Sequence, residues 1–136
     1  MDRRLFSLAE AEAMLAEGRE ALAEIVILRR QLAEAVAALE ERGERGALPE
    51  AKGLEARIGD RLDWFTSRGV QVKGWAPLLL DWPAEVGGRP VLLCWLENEE
   101  RIGWYHEPNL GFPGRRPLAE LLDPASGGGS TPTDQR

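Results

Sequence analysis

The stretch Glu41-Arg42-Gly43-Glu44-Arg45-Gly46 decides how the first half of the chain folds, because it places two glycines in a polar run between two helical patterns. Glycine readily adopts the left-handed conformation that ends a helix, and polar residues keep a turn at the surface. We therefore expect the chain to reverse direction here, with one helix on each side of the turn.

The residues before this turn predict one long helix that begins near Leu8. Ser7 and Glu10 have the S-x-x-E spacing of a capping box, in which each side chain accepts a hydrogen bond from a backbone amide. Arg29 interrupts the apolar seam, and we expect its side chain to extend along its aliphatic stem to solvent rather than form a buried ion pair. The seam recurs in the steps of three and four of a heptad repeat: Leu8, Ala11, Leu15, Gly18, Leu22, Ile25, Leu32, Val36 and Leu39.

The residues after the turn predict a second, shorter helix. Apolar residues recur at helical spacing from Ala51 to Phe65, and Gly69 follows as a C-terminal cap. Residues 1–69 are thus predicted to form an antiparallel helical hairpin. Because the second helix is shorter, part of the seam on the first helix is left for the β region or for a second copy of the protein.

After Gly69 the sequence changes to β-branched and aromatic residues separated by turn residues, which is typical of short strands. We expect an α+β fold in which residues 70–123 form a small antiparallel β-meander of three or four strands, packed on the hairpin. The tail, residues 124–136, is rich in Gly, Ser, Thr and Pro and is predicted to be disordered. The candidate strands are residues 70–72, 78–82, 91–96 and 102–106.

Two turns set the register of the predicted meander. Gly87-Gly88 joins the second run to the third, and a three-residue turn at residues 98–100 joins the third run to the fourth. In that register Cys94 faces Trp104, and the alternation of strand side chains puts both on one face with His106. The residues on both faces are apolar, so we expect both faces to be covered.

The composition describes a small globular protein and excludes several classes of function. Of the 136 residues, 43% are hydrophobic and 29% are charged, and the formal net charge is −6. An acidic chain lacks the positive surface that contacts phosphates, so we expect no nucleic-acid partner. No apolar run approaches the roughly 20 residues of a membrane-spanning helix, and no apolar signal segment is present, so we expect a cytoplasmic protein without a membrane partner.

The residues best suited to chemistry fall in the β region, namely Asp81, Cys94, His106 and Glu107. Cys94 and His106 are diagonal neighbours in the predicted register and could form a thiolate–imidazole pair, although a lone cysteine in an apolar strand is more often a small buried side chain. Zinc and iron sites usually take several histidines or cysteines, and this chain has one of each. The ligand count therefore argues against a metal at His106 and Glu107, and we expect no cofactor.

Three arginines form a second candidate group. Arg89, Arg115 and Arg116, with Asp81, are candidates for binding a small ligand, because a planar guanidinium binds carboxylates and phosphates well. The alternative, which we favour, is that these arginines pair with Asp81, Glu85 or Glu107 and hold the loop in place. The five tryptophans of the chain are expected to pack in the core.

Linked motifs run through the β region: Leu80-Asp81-Trp82-Pro83, Gly88-Arg89-Pro90-Val91, Leu93-Cys94-Trp95, Trp104-Tyr105-His106-Glu107 and Gly111-Phe112-Pro113-Gly114-Arg115-Arg116-Pro117. Together with the opening Phe6-Ser7-Leu8-Ala9-Glu10-Ala11, they resemble a bacterial family catalogued as domain of unknown function 2203. The family form has a Gly-Glu step after the Cys-Trp strand, where this chain reads Leu96-Glu97-Asn98-Glu99. The resemblance covers residues 5 to about 118 and implies no activity.

Two functions of different classes fit the sequence. We favour a non-enzymatic interaction module that uses the helical seam either to form a homodimer or to dock on a protein partner. The alternative is a protein that binds a small ligand or a metal, and is then an enzyme candidate, with a site around His106 and Glu107. Because no complete catalytic set is evident, we expect the protein not to be an enzyme.

Overall fold

The computed structural model describes residues 4–122, so the predicted disorder of residues 124–136 lies outside the described part. The helices are α1 (Leu8–Glu17), α2 (Arg19–Arg42), α3 (Ala47–Thr66) and α4 (Leu118–Leu122). The strands are β1 (Gln71–Trp75), β2 (Leu78–Val86), β3 (Arg89–Leu96), β4 (Trp104–His106) and β5 (Arg116–Pro117), with a 3₁₀ turn at Phe112–Gly114. The fold is α+β, as predicted, with helices followed by an antiparallel sheet.

The chain divides into two compact units. Residues 16–68 form a helical unit, and residues 4–15 with residues 69–122 form a sheet unit. None of the helices within residues 4–122 combines the length and the apolar character that crossing a bilayer requires.

The predicted start of the first helix is confirmed, but the helix is not continuous. The Ser7 amide donates to Glu10 Oε1 at 2.9 Å and the Glu10 amide donates to Ser7 Oγ at 3.0 Å, which completes the capping box. Gly18 then separates α1 from α2. A Cβ atom at position 18 would lie 2.5 Å from Cζ of Phe65, so the missing side chain is what allows the Phe65 ring to pack against this break.

In the helical unit, α2 and α3 run antiparallel, since Gly18 contacts Phe65 and Glu24 contacts Arg61. Gly43 ends α2 in the left-handed region, with a φ of 64°, as the turn sequence predicted. Because Gly18 interrupts the first helix, α2 has 24 residues and α3 has 20, which are more nearly equal lengths than the sequence suggested.

The buried line of α2 departs from the predicted heptad seam. Leu28 is buried where the heptad pattern placed Arg29, and Arg29 lies beside it, half-buried. An α-helix has 3.6 residues per turn, so its buried face drifts away from a strict seven-residue repeat. The buried residues of α2 are Leu22, Ile25, Leu28, Leu32, Ala35 and Ala38.

The sheet has five strands in the order β1-β2-β3-β4-β5, and all neighbouring pairs are antiparallel. Cys94 pairs with Trp104 and Leu92 pairs with His106, which confirms the predicted register. The sequence missed β5, because a strand of two residues has too few positions to show an alternating pattern. Consecutive residues of β2 and β3 are buried, so both faces of these strands are covered, as expected.

Tryptophan burial only partly follows the expectation. Trp82 and Trp95 are buried in the sheet unit, whereas Trp64 and Trp104 are half-buried and Trp75 is exposed. The buried polar side chains among the described residues are Asp81 and His106, and the candidate site is built around this pair.

Candidate functional site

Three neighbouring strands bring Asp81, Cys94 and His106 together. Asp81 on β2 pairs directly with Cys94 on β3, and His106 on β4 pairs with the residue two positions before Cys94. Side chains two residues apart on a strand share a face, so all three project to the same side of the sheet. The candidate ligand atoms of these side chains all lie within 4.8 Å of one another, and the residues are 0–1% exposed. We call this group the Asp81–Cys94–His106 cluster.

The two ring nitrogens of His106 are both engaged. Nδ1 lies 2.9 Å from the backbone oxygen of Glu107, and Nε2 lies 2.9 Å from Asp81 Oδ2. A carbonyl oxygen only accepts hydrogen bonds, so Nδ1 carries a hydrogen. A second hydrogen or a cation must then lie between Nε2 and the carboxylate, because both would otherwise be acceptors.

Asp81 is a buried carboxylate whose two oxygens have different surroundings. Oδ2 lies 2.9 Å from His106 Nε2 and 3.3 Å from Lys73 Nζ. Oδ1 is buried and has no hydrogen-bond partner among the described residues. An unpartnered carboxylate oxygen in the interior is costly, so this atom marks a place where the neighbouring Cys94 thiol, which hydrogen-bonds to the Asp81 carboxylate, or a cation would be stabilised.

Burial raises the pKa of the Cys94 thiol to about 12, and the negative charge of Asp81 contributes, while Arg115 acts in the opposite direction. Near neutral pH the sulfur therefore keeps its proton and lacks the thiolate character that a nucleophile needs. A bound metal cation would displace this proton, because metals bind cysteine as the thiolate.

Glu107, a predicted site residue, does not join the cluster through its side chain. Its carboxylate pairs with Arg89, and both side chains are substantially exposed. The structure instead brings the Glu107 backbone oxygen to the ring of His106.

The other predicted arginines do not converge on a common ligand site. Arg116 pairs with Glu120 at 3.0 Å on the surface. Arg115 is much less exposed and binds Glu99 at 2.7 Å, with its guanidinium over the rings of Trp104 and Phe112. Each of these arginines pairs with an acidic residue, but only the contact of Arg89 with Glu107 involves a predicted partner.

The sequence analysis missed Lys73 and Glu99. The pairing of β1 with β2 shifts between Val72 and Gly74, which marks a β-bulge. Lys73 is the extra residue of this bulge. An isolated glycine within a strand pattern often marks a bulge, so Gly74 carried a signal that the chain is irregular here. Glu99 organises the turn after β3, where its side chain accepts a hydrogen bond from the Leu96 amide and its backbone oxygen accepts one from Trp95.

The fold and the cluster define a small α+β protein whose antiparallel sheet buries an aspartate, a cysteine and a histidine on one face. The chain belongs to the family described as uncharacterized conserved protein (DUF2203), whose model matches residues 4–118. No curated protein and no solved structure matches the chain.

Proposed function

We propose that this protein binds a divalent transition-metal cation of the zinc class through Asp81, Cys94 and His106. The observation that carries the proposal is the approach of three different donor atoms, an oxygen, a sulfur and a nitrogen, to within 4.8 Å of one another in a buried site. Zinc accepts all three donor types, and three protein ligands with one further position is a common zinc arrangement.

The hydrogen bonding of His106 supports this proposal. A histidine that ligates a metal almost always donates its other ring N–H to a carboxylate, a carbonyl or a water molecule, which fixes the orientation of the ring. The Glu107 carbonyl, 2.9 Å from Nδ1, supplies such a partner and directs Nε2 toward Asp81.

The unpartnered Asp81 Oδ1 is a second supporting observation. A cation near this oxygen would compensate the buried charge and would also take the place of the hydrogen needed between His106 and Asp81. The sequence offers one histidine and one cysteine as ligands, and the structure adds one carboxylate, that of Asp81, within reach of both.

A cation in the buried cluster would stabilise the fold, and a fourth ligand such as a water molecule would complete its tetrahedral shell. The donors lie on three adjacent strands, so one ion would cross-link β2, β3 and β4. A cation that binds only the folded state stabilises it by mass action. With side chains that are 0–1% exposed, the site offers little access to a substrate.

Cobalt titration of the chelator-treated full chain tests the proposal, because Co²⁺ reports on both the occupancy and the ligands of zinc sites. We expect one equivalent to bind and to produce the absorption typical of thiolate-to-cobalt charge transfer, and Zn²⁺ to displace it. Cys94→Ser, a near-isosteric change, should abolish that absorption. His106→Gln should weaken binding by more than the roughly 10–100-fold that loss of an outer-shell partner causes.

Glu107→Gln is the matched control, because its side chain lies outside the cluster and its backbone oxygen is retained. This variant should bind like the unmodified protein. A folded protein that takes up no stoichiometric Co²⁺ or Zn²⁺ would overturn the proposal, as would binding that survives both the Cys94 and the His106 variants.

Self-association through the helical unit is the second candidate function. Ile27 on α2 is 51% exposed and lies on the same line of that helix as Gln31, Glu34 and Ala38. Those three residues line a groove of about 840 Å³ between α2 and α3. Because the groove also carries Arg42, Arg57 and Glu50, a second copy related by a two-fold axis would meet opposite charges.

Light scattering of the full chain tests this second candidate. We expect a dimer that Ile27→Asp converts to monomer, because the substitution puts a charge on the proposed contact. Leu110→Asp, at a 55% exposed leucine of the sheet unit, is the matched control and should leave the dimer intact. A monomeric unmodified protein at high concentration would reject the candidate.

A further inference from the structure

Lys73 is the point at which the buried cluster meets solvent. Its side chain is 41% exposed, whereas that of Asp81 is 1% exposed, and Nζ lies 3.3 Å from Asp81 Oδ2. Gln71 pairs directly with Asp81, so strand alternation puts Lys73 on the same face as the cluster, and the bulge leaves Lys73 without a direct partner on β2.

We propose that Lys73 acts as a built-in competitor of the cation, so that its ammonium group sets the concentration at which the Asp81–Cys94–His106 cluster is filled. This inference rests on the proposed metal binding. In the empty site Lys73 provides a positive partner for the buried carboxylate. A bound cation and the Lys73 ammonium would both lie beside the Asp81 carboxylate. Because the two carry like charge, the ammonium must either move away or repel the cation.

The structure makes displacement of Lys73 feasible. A lysine side chain has a long flexible stem, and one that is partly exposed reaches water by rotation of that stem. Because the bulged residue lies outside the regular pairing of β1 with β2, the movement leaves the ladder hydrogen bonds intact. The charge acts at short range in a poorly hydrated site, where electrostatic interactions are stronger than in water.

Zinc affinity of three full-length variants, measured by calorimetry beside the unmodified protein, tests this inference. Lys73→Met keeps the length of the side chain and removes the charge, so we expect it to bind Zn²⁺ at least about tenfold more tightly. Lys73→Arg keeps the charge and should bind within about twofold of the unmodified protein. Lys52→Met makes the same change in net charge on α3, beside Glu55, and should have no effect.

The outcomes separate this inference from the proposed function. Equal affinity of Lys73→Met and the unmodified protein would overturn the role of Lys73 and leave the metal site standing. Weaker binding by Lys73→Met would also overturn it, because Lys73 would then orient Asp81 for the cation. Absence of Zn²⁺ binding in all variants would reject the metal site itself and the inference with it.

Discussion

The helical unit and the sheet unit each contain a short contact between a carboxylate and a side-chain nitrogen, but the two contacts lie in opposite environments. In the helical unit Arg61 Nε lies 2.6 Å from Glu24 Oε1, and these side chains are 39% and 33% exposed. In the sheet unit His106 Nε2 lies 2.9 Å from Asp81 Oδ2, with side chains that are 2% and 1% exposed. The distance between two polar groups therefore does not by itself predict how much their contact stabilises the protein. The exposure of the pair to water must also be known.

The two units also differ in the kind of residue on which their packing depends. The helical unit depends on small residues where elements approach closely, as Gly18 shows against Phe65. The sheet unit depends on polar groups that its pairing brings into the interior. Substitutions that remove a buried polar partner, add one methyl group, or remove a surface charge should therefore have effects of decreasing size.

The largest effect is expected for His106→Ala in metal-free protein. The change leaves the Asp81 carboxylate buried with Lys73 as its remaining charged partner, and removing one member of a buried pair costs about 3–5 kcal/mol of unfolding free energy. Urea unfolding followed by tryptophan fluorescence measures this loss, because Trp75, Trp82, Trp95 and Trp104 lie in the sheet unit. A loss below about 1 kcal/mol, the range of exposed pairs, would contradict a buried charged contact.

The second effect is expected for Gly18→Ala, where the new Cβ would lie 2.5 Å from Phe65 Cζ and 2.8 Å from Cε1. Phe65 is 0% exposed, so its ring has little room to move, and overpacking of this kind costs about 1–3 kcal/mol. Circular dichroism of urea unfolding, which follows the helices, measures the change.

Gly59→Ala is the matched control for Gly18→Ala. Gly59 lies within α3, and a Cβ there would meet no atom within 4 Å. Alanine has the higher helix propensity, so this variant should be more stable by about 0.5–1 kcal/mol. If both variants gained stability, the contact between Gly18 and Phe65 would not be tight enough to exclude a side chain at position 18.

The features that the sequence predicted correctly depend on neighbouring residues. The left-handed Gly43 and the pairing of Cys94 with Trp104 follow from local turns and from alternation along two adjacent strands. The close approach at Gly18 involves Phe65, which is 47 positions away in the chain. No local pattern contains that information.

The candidate site was predicted only in part, for a similar reason. The approach of Cys94 and His106 followed from the register of one strand pair, whereas the place of Asp81 required the pairing of β2 with β3 as well. The contact of Lys73 required the pairing of Gln71 with Asp81, which places position 73 on the face of the cluster. The carboxylate of Glu107, a candidate from the sequence, pairs with Arg89 and does not belong to the cluster.

A smaller effect is expected in the turn after β3, where Asn98 has a φ of 82°. Asparagine tolerates this left-handed region better than most residues, and glycine adopts it without steric cost. Asn98→Ala should therefore lose about 1 kcal/mol of unfolding free energy, and Asn98→Gly should lose none. Equal losses for both variants in urea unfolding would show that the Asn98 side chain, rather than the backbone conformation, stabilises the turn.

The smallest effect is expected for Glu24→Gln, which removes the surface contact of the helical unit. The hydrogen bond from Arg61 holds the pKa of the Glu24 carboxyl below its ordinary value of 4.5. A lowered pKa in the folded state means that the contact stabilises the protein above pH 4.5, and that this stabilisation is lost as the pH falls through the lowered value. Water and salt screen an exposed pair, so the urea midpoint at neutral pH should barely move, as for the control Glu34→Gln.

Carboxyl carbon shifts measured by nuclear magnetic resonance report on the same contact more directly than stability does. In Arg61→Ala the pKa of Glu24 should rise toward 4.5, because its main hydrogen-bond donor is lost and only the weaker contact with Arg57 remains. A clear loss of stability in Glu24→Gln, comparable to that of His106→Ala, would mean that exposure to water does not separate the two contacts. The energetic difference between the two units would then need another cause.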